Sequence, residues 1–256
     1  MGRLDGQVAL VTGAGGAIGT AAALGLVRAG ARVALTSRSP DRLAVAAAAV
    51  ADASGAEVPT YVADFMDPSQ VEALACWATE TLGGVDVLVN NAGANSPHRS
   101  SATADAALDE LFRINVTAGA ILCRGLIPGM IERGGGTIVS VASFAVYSPG
   151  PLGGAAYAAS KAALLNYMGS VNAEFRNRGI RACTVLPGEV DTPLLAQRPR
   201  PPTAEDRATM IGADDVADAI VFCAATPGRT LIEEISIRPT VLRDTTEDVR
   251  IALGQG

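Results

Sequence analysis

Residues 8–19 read V-A-L-V-T-G-A-G-G-A-I-G, an apolar run that passes through four glycines into an alanine-rich segment. Glycines between a strand and a helix let the backbone bend tightly and approach a pyrophosphate, which the amides and the positive end of the helix then hold. Such turns also serve only to pack a strand against a helix. The position of this turn after the first predicted strand favours a dinucleotide site.

Strand-like apolar runs alternate with helix-like segments along almost the whole chain. The predicted strands are residues 7–12, 32–36, 57–63, 85–89, 137–141, 180–186 and 231–237, and the predicted helices are residues 17–29, 40–53, 68–82, 104–133, 155–178 and 213–225. Strands that are apolar throughout belong in a parallel sheet covered on both faces. The pattern predicts one α/β domain over residues 1–256, with a doubly wound, Rossmann-like parallel sheet of about seven strands and helices on both faces.

Composition excludes several classes of protein. The 256 residues are 49% hydrophobic, which excludes a disordered chain, and the net charge of −6 provides no basic field for nucleic acid or anionic lipid. No apolar run reaches membrane-spanning length, and the N-terminus is typical of a strand rather than a signal peptide. The four cysteines lie far apart, which argues against a disulfide framework or a metal site. We expect a cytoplasmic protein.

The end of the second predicted strand indicates which dinucleotide binds. It reads T-S-R at residues 36–38, without an Asp or Glu to accept hydrogen bonds from an adenosine ribose diol. The guanidinium of Arg38 matches a 2′-phosphate in geometry, and Ser37 adds a hydroxyl donor. We therefore expect NADP(H) to be preferred, with NAD(H) possible. The alternative is that Arg38 is a solvated residue at the start of the next helix.

Lysine usage points to a catalytic pair. Nineteen of the twenty basic residues are arginine, and Lys161 is the only lysine in the chain. An ammonium is a compact donor with an adjustable pKa, whereas guanidinium is planar and always charged. Tyr157 lies four residues earlier, on the same face of a predicted helix. Lys161 and the helix N-terminus are expected to lower the pKa of Tyr157, which suits proton transfer; the alternative is an amphipathic surface pair.

Six motifs, in this order, resemble those of the short-chain dehydrogenase/reductase family in its single-domain form. They are T-G-x-x-x-G-x-G at 12–19, N-N-A-G at 90–93, R-I-N-V around Asn115, a strand ending in Ser143, Y-x-x-x-K at Tyr157 and Lys161, and P-G-x-x-x-T at 187–192. Three departures stand out. Ala17 replaces the second glycine of the turn, the gap from Ser143 to Tyr157 is one residue longer than usual, and residues 234–240 lack the family's glycine-rich ending.

The resemblance implies the catalytic roles. Tyr157 would exchange a proton with the carbonyl or alcohol oxygen, and Ser143 would hydrogen-bond the same oxygen. Lys161 would hold the nicotinamide ribose, and Asn115 would hold a water that links Lys161 to solvent. Alternatively, Asn115 is a buried amide with satisfied hydrogen bonds, and Ser140 is a rival for Ser143.

The resemblance also implies the residues that contact the cofactor. They are the turn residues Gly13, Gly15, Gly16, Ile18 and Gly19, then Asp64 at the adenine, Asn91 and Gly93 beside a ribose, Tyr157 and Lys161 at the nicotinamide ribose, and Val190 and Thr192 at the carboxamide. Alternatively, Asp64 caps the helix that begins at Pro68, and Asn90 and Asn91 only tie strand ends together.

Two loops are candidates for substrate contact. Residues 188–212 show no clear period and include R-P-R-P-P-T, which favours a lid over the site or, alternatively, a solvated loop. Arg198, Arg200 and Arg207 in this stretch are either ligands for an acidic substrate or solvated charges. His98, the only histidine, follows the fourth predicted strand as either a substrate contact or an exposed loop residue.

Together these features predict a cytoplasmic NADP(H)-dependent oxidoreductase that interconverts a ketone and a secondary alcohol. Alanine-rich helices around Asn115 and Lys161 favour assembly into a homodimer or homotetramer. We expect no metal, nucleic acid or membrane partner. The alternative is a catalytically silent dinucleotide-binding sensor or scaffold with the same fold.

Overall fold

The computed structural model describes residues 3–95, 105–198 and 200–254. The strands in these ranges are β1 (Val8–Thr12), β2 (Arg32–Ser37), β3 (Thr60–Val62), β4 (Val87–Asn90), β5 (Gly136–Val141), β6 (Ile180–Pro187) and β7 (Glu234–Ile237). The helices are α1 (Ala17–Arg28), α2 (Pro40–Ser54), α3 (Pro68–Leu82), α4 (Asp105–Phe112), α5 (Ala118–Glu132), α6 (Ala155–Phe175), α7 (Ala204–Ala208), α8 (Ala213–Ala224) and α9 (Thr246–Ala252).

The strands form one parallel sheet in the order β3-β2-β1-β4-β5-β6-β7, which confirms the predicted doubly wound fold. Strand order reverses between β1 and β4, where Leu10 pairs with Leu88. In an open sheet of this kind, ligands bind beyond the carboxyl ends of the strands at the switch point. The loops after β1, β4, β5 and β6 therefore meet at one edge of the sheet.

Helices cover both faces of the sheet. One buried core includes Leu74 of α3, Leu122 of α5 and Leu164 of α6. The core on the opposite face includes Leu26 of α1 and Ile220 of α8. Because both faces are covered, the central strands β1 and β4 are buried along their whole length, as their apolar sequences predict.

The helix predicted over residues 104–133 is interrupted. A π-helical turn, Arg113–Thr117, separates α4 from α5. A π-turn inserts a residue into the helical period and often occurs at a functional site. It contains Asn115, which is 2% exposed.

The expectation that no segment is apolar enough to span a membrane needs correction. The run Ala106–Glu132 reaches that length and hydropathy, and 56% of its most apolar window is buried inside the fold. Leu122, Leu126 and Met130 of this run are buried in the core against the sheet. Its apolar composition is therefore used for packing within the domain.

Helix α6 is fixed to the sheet through a buried amide. The Oδ1 of Asn172 accepts a hydrogen bond from Ala182 N at 2.7 Å, and its Nδ2 donates to Ala182 O at 2.8 Å. Strand β7 pairs with β6 only from Thr184 onward. Among the described residues, no strand therefore hydrogen-bonds to the backbone of Ala182 on the side that Asn172 contacts. Asn172 satisfies these groups in place of a strand and sets the position of α6, which carries Tyr157 and Lys161.

Candidate active site

Tyr157, Ser143 and Lys161 come together at the carboxyl edge of the sheet. Ser143 follows β5, and its Oγ accepts a hydrogen bond from Ala145 N at 3.2 Å. The Ser143 side chain is near enough to the Tyr157 hydroxyl for its hydrogen bonding to lower the pKa of the phenol. The Nζ of Lys161 lies 5.9 Å from the centroid of the Tyr157 ring. The longer gap between Ser143 and Tyr157 therefore does not separate the two side chains.

The expected lowering of the Tyr157 pKa is not found. Desolvation by burial raises the pKa of Tyr157 above its ordinary value of 10, and the hydrogen bond to Ser143 offsets this only in part. Burial disfavours the phenolate because a charged form loses more hydration than a neutral one. The phenol is thus held protonated at neutral pH, the form that donates a proton.

Lys161 is buried and held by the main chain. The residue is 4% exposed, and its Nζ donates a hydrogen bond to Val141 O at 3.0 Å. Burial lowers the pKa of Lys161 from 10.5 to about 8. The amine therefore loses its proton within reach of physiological pH, which a guanidinium does not do.

Asn115 joins the loop after β4 to helix α6. Its Oδ1 accepts from Ala94 N at 2.8 Å, and its Nδ2 donates to Ala94 O and to Ser160 Oγ, each at 3.0 Å. Both protons of the Nδ2 group donate hydrogen bonds. The nitrogen of Asn115 therefore fits the alternative of a buried amide with satisfied hydrogen bonds. A Cβ added at Gly93 would lie 3.1 Å from this Oδ1 and 3.2 Å from Lys161 Nζ. The side chains of Asn115 and Lys161 thus both lie next to Gly93, in the loop after β4.

A cavity of about 840 Å³ opens beside Tyr157 and Ser143. Ile18 of the glycine turn and Val190 and Thr192 after β6 line it as well. Its other apolar lining residues are Phe144, Leu152, Leu194, Leu195, Val241, Leu242 and Val249. A second cavity of about 640 Å³ adjoins it and shares Arg238 and Pro239. The space suits a mostly apolar small molecule next to the Tyr157 hydroxyl.

The turn after β1 fits the pyrophosphate of a dinucleotide. Gly13 has φ +64°, and a Cβ added at Gly19 would lie 2.4 Å from Gly13 O, so neither position accepts a larger residue without strain. Ser39 and Asp67 cap α2 and α3 with their side chains, whereas no side chain of the described residues caps α1. The first amides of α1 are therefore left to bind an anion. Ala17 is accommodated as the first residue of this helix.

The residues that would read the adenosine ribose lie beside this turn. Arg38 is exposed and makes no hydrogen bond or ion pair with the part of the chain that the structure describes. A Cβ added at Gly15 would lie 3.0 Å from Ser37 Oγ and 2.9 Å from Arg42 Cβ. Sequence reasoning missed Arg42, which lies in the first turn of α2, four residues after Arg38.

Asp64 and Asn91 both have partners within the chain. The exposed Asp64 accepts a hydrogen bond from Met66 N at 2.9 Å, whereas Asp67 caps α3, so the capping alternative for Asp64 is wrong. Asn91 Nδ2 donates to Thr12 O at 2.9 Å and to Gly13 O at 3.3 Å. Asn91 does tie β4 to β1, and this holds it beside the glycine turn.

Three residues singled out in the sequence remain: Ser140, Val190 and His98. Ser140 is fully buried in β5 with its Oγ 3.1 Å from Met168 Sδ, so it does not rival Ser143 at the cavity. Val190 forms an isolated β-bridge with Ile211. His98 lies outside the described residues.

Residues 188–212 border the cavity and are held by ion pairs. The segment contains a 3-10 turn, Pro193–Gln197, and helix α7. Each of its three arginines is paired with a carboxylate: Arg198 with Glu189, Arg200 with Asp248 and Arg207 with Asp191. Arg198 also lines the cavity, so whether these arginines meet an acidic substrate stays a prediction.

The centre of these ion pairs is Arg243, which sequence reasoning missed. Its side chain is 5% exposed, and it donates to both oxygens of Glu189 at 2.7 and 2.8 Å and to Asp248. Burial alone would raise the pKa of Glu189, but the hydrogen bonds and charges of Arg243 and Arg198 hold it below its ordinary value. Arg243 thereby joins the 188–212 segment to helix α9.

The family model for short chain dehydrogenases matches residues 7–202. The 1-deoxy-11-beta-hydroxypentalenate dehydrogenase of Streptomyces exfoliatus is 36% identical over 251 residues, which cover 96% of this chain and 90% of that protein.

Solved structures of the same kind superpose over nearly the whole chain. A metagenomic short-chain oxidoreductase in complex with NADP has 33% identity and a TM-score of 0.79, over 94% of this chain and all of that one. The L-sorbose reductase of Gluconobacter frateurii, complexed with NADPH and L-sorbose, has 27% identity and a TM-score of 0.84, over 93% of this chain and 97% of that one.

Replacing the buried lysine should stabilise the protein while removing an active-site group. Burial lowers the pKa of Lys161 from 10.5 in the unfolded chain to about 8 in the folded one, so unfolding takes up a proton only between these two pH values. The cost of burying the charge is therefore fully present below about pH 8, and stability rises as the pH is raised from about 8 to 10.5. At pH 7 we expect Lys161→Met to raise the free energy of unfolding by about 2 kcal/mol. This net gain already includes the loss of the hydrogen bond to Val141 O.

Urea unfolding of both proteins at about pH 7 and about pH 9.5 measures this difference, which should shrink at the higher pH. Arg176→Met, an exposed cation beyond the end of α6, is the matched control and should change little at either pH. A Lys161→Met protein that is less stable than the parent at pH 7 contradicts the cost assigned to burial.

Proposed function

The chain belongs to the short chain dehydrogenase family, and on this basis we propose that it is an oxidoreductase that transfers a hydride between NADP(H) and a ketone or secondary alcohol. Tyr157 acts as the general acid in reduction and as the general base in oxidation. The observation that carries the proposal is the close approach of Tyr157 and Ser143 on the wall of an 840 Å³ cavity, with the buried Lys161 beside the ring.

In reduction, the Tyr157 hydroxyl donates its proton to the carbonyl oxygen. NADPH, when bound, supplies the hydride for this chemistry. Burial raises the pKa of Tyr157, so the phenol carries its proton at neutral pH. Ser143 donates a hydrogen bond to the same oxygen and fixes its angle. In oxidation, the same tyrosine must lose its proton before it accepts one from the alcohol, which favours higher pH.

Lys161 supports this proton transfer and positions the cofactor. Its ammonium would hold the nicotinamide ribose hydroxyls, and a positive charge near Tyr157 stabilises the phenolate that remains after donation. The second lone pair of Asn115 Oδ1 is open to a water that connects Lys161 to solvent. A proton from solvent can thus return to Tyr157 while the substrate stays in place.

The cofactor would bind at the carboxyl edge, at the switch point. The turn from Gly13 to Gly19 would hold its pyrophosphate, and Arg38 with Ser37 would hold the 2′-phosphate. Asp64 would contact the adenine, Asn91 and Gly93 a ribose, and Val190 and Thr192 the carboxamide. NADP-bound relatives support the preference for NADP(H) over NAD(H), as does the guanidinium of Arg38, which has no partner among the described residues.

Residues 188–212 form a lid over the substrate. The support is their place on the cavity wall through Glu189, Leu194 and Leu195, and their ion pairs to the C-terminal segment through Arg243. A lid that excludes water strengthens the hydrogen bonds made at the reacting oxygen.

Substitution of the proposed acid tests the reaction. Tyr157→Phe should lower kcat at least a hundredfold, because the proton donor is lost, and should leave the Kd for NADPH within about twofold. Reduction of a panel of ketones is followed by the loss of reduced nicotinamide absorbance. Tyr167→Phe, ten residues further along α6, is the matched control and should keep parental rates. Parental turnover in Tyr157→Phe would show that the acid is misassigned.

A charge change at the end of β2 tests the cofactor preference. Arg38→Asp should weaken NADPH binding at least tenfold and improve NADH binding, because the carboxylate repels a 2′-phosphate and accepts bonds from a ribose diol. Calorimetry with both dinucleotides measures the change. Arg32→Asp, at the opposite end of the same strand, should leave both affinities unaltered. Tighter binding of NADH by the parent would overturn the preference.

We further propose that the protein is a cytoplasmic homodimer or homotetramer. Its four cysteines are all free thiols, as a reducing compartment favours. The apolar helix α5 and the alanine-rich helix α6 provide the surface for self-association. Light scattering should give a mass of two or four 25.9 kDa chains. A protein that stays monomeric at micromolar concentration contradicts this assignment.

A further inference from the structure

Three arginines line the cavity beside Tyr157, and one of them has no carboxylate partner. Arg198 and Arg243 are both paired with Glu189, and Arg243 is also paired with Asp248. Arg238 forms no ion pair or hydrogen bond with residues 3–95, 105–198 or 200–254. Its described contact is with a ring: the guanidinium carbon lies 4.1 Å from the centroid of Phe144. The cavity therefore carries one cation that no described carboxylate neutralises.

The position of Arg238 is fixed by its surroundings. It follows β7 directly, and Pro239 follows it. A Cβ added at Gly188 would lie 3.4 Å from Arg238 Cα and 3.5 Å from its Cγ, so this glycine leaves room for the stem of the arginine. The face of Phe144 holds the guanidinium at the other end by a cation–π contact.

This fixed guanidinium is close to the reacting groups. Phe144 is the residue after Ser143, whose side chain lies near the Tyr157 hydroxyl. Arg238 is exposed, so its charge does not have to be stripped of water before it meets an anion. The wall of the same cavity also includes Leu152, Leu194 and Leu195, which favour an apolar body.

On the basis of the proposed function, we infer that the substrate carries a carboxylate, which Arg238 binds while the ketone or alcohol meets Tyr157. A guanidinium presents parallel N–H donors that match the two oxygens of a carboxylate. Arg238 is the one unpaired cation among the described lining residues, and it matches a monoanion. A phosphate dianion would call for a second free cation among them. The substrate class is an apolar keto acid or hydroxy acid.

The test compares matched substrates that differ only in charge. Cyclic ketones are prepared as the carboxylate and as the carboxamide, with 4-oxocyclohexanecarboxylate as the smallest, and kcat/KM with NADPH is measured for each. The parent protein should prefer the carboxylate at least tenfold. Arg238→Met keeps an apolar stem against Phe144 and should abolish that preference without changing the rate for the carboxamide or the Kd for NADPH. Arg229→Met, an exposed arginine away from the cavity, should behave as the parent.

The outcomes separate this inference from the proposed function. Equal rates for carboxylates and carboxamides in the parent, or an undiminished preference in Arg238→Met, overturn the inference and leave the oxidoreductase intact. A protein that binds NADPH but reduces no member of the set contradicts the proposed function itself.

Discussion

The site depends on one buried amine held against the end of a strand. The hydrogen bond from Lys161 Nζ to Val141 O places the only lysine of the chain where β5, α6 and the loop after β4 meet. Burying a cation there lowers its pKa and costs stability that a hydrophobic residue would not cost. The surrounding structure has to be rigid to hold it, and the hydrogen bonds of Asn115 and Asn172 meet that requirement on either side.

Local patterns in the sequence predicted most of the framework. Apolar strands, the glycine turn and the Tyr157–Lys161 spacing each depend on neighbours within a few residues, so the sheet and α6 followed from them. The meeting of Ser143 with Tyr157 was expected only from the resemblance to the family. The π-turn at Asn115 did not follow, because the apolar period continues on both sides of it. The sign of the Tyr157 pKa shift also failed, since burial depends on side chains from distant parts of the chain.

The C-terminal region was the least predictable part. Helix α9 is short and polar in its first turn, so its sequence has no clear helical period. The pairing of Arg243 with Glu189 joins residues 54 positions apart, and no local pattern encodes such a partner. The same holds for Arg238 and Phe144, which meet because β7 lies beside β6. Contacts between residues far apart in the sequence therefore form the wall of the pocket, whereas the pair of Tyr157 and Lys161 is placed by local spacing.

The amide of Asn172 has a consequence for how the pocket can diversify. Because this side chain completes the hydrogen bonding of β6 ahead of Thr184, the beginning of that strand needs nothing from β7. Residues from β7 onward can then change without disturbing the hydrogen bonds of Ala182 beneath α6, while the pairs from Thr184 to Pro187 still require a strand beside β6. Evolution or an engineer could graft a new C-terminal segment that keeps this strand onto an unchanged catalytic half, and so obtain a new specificity.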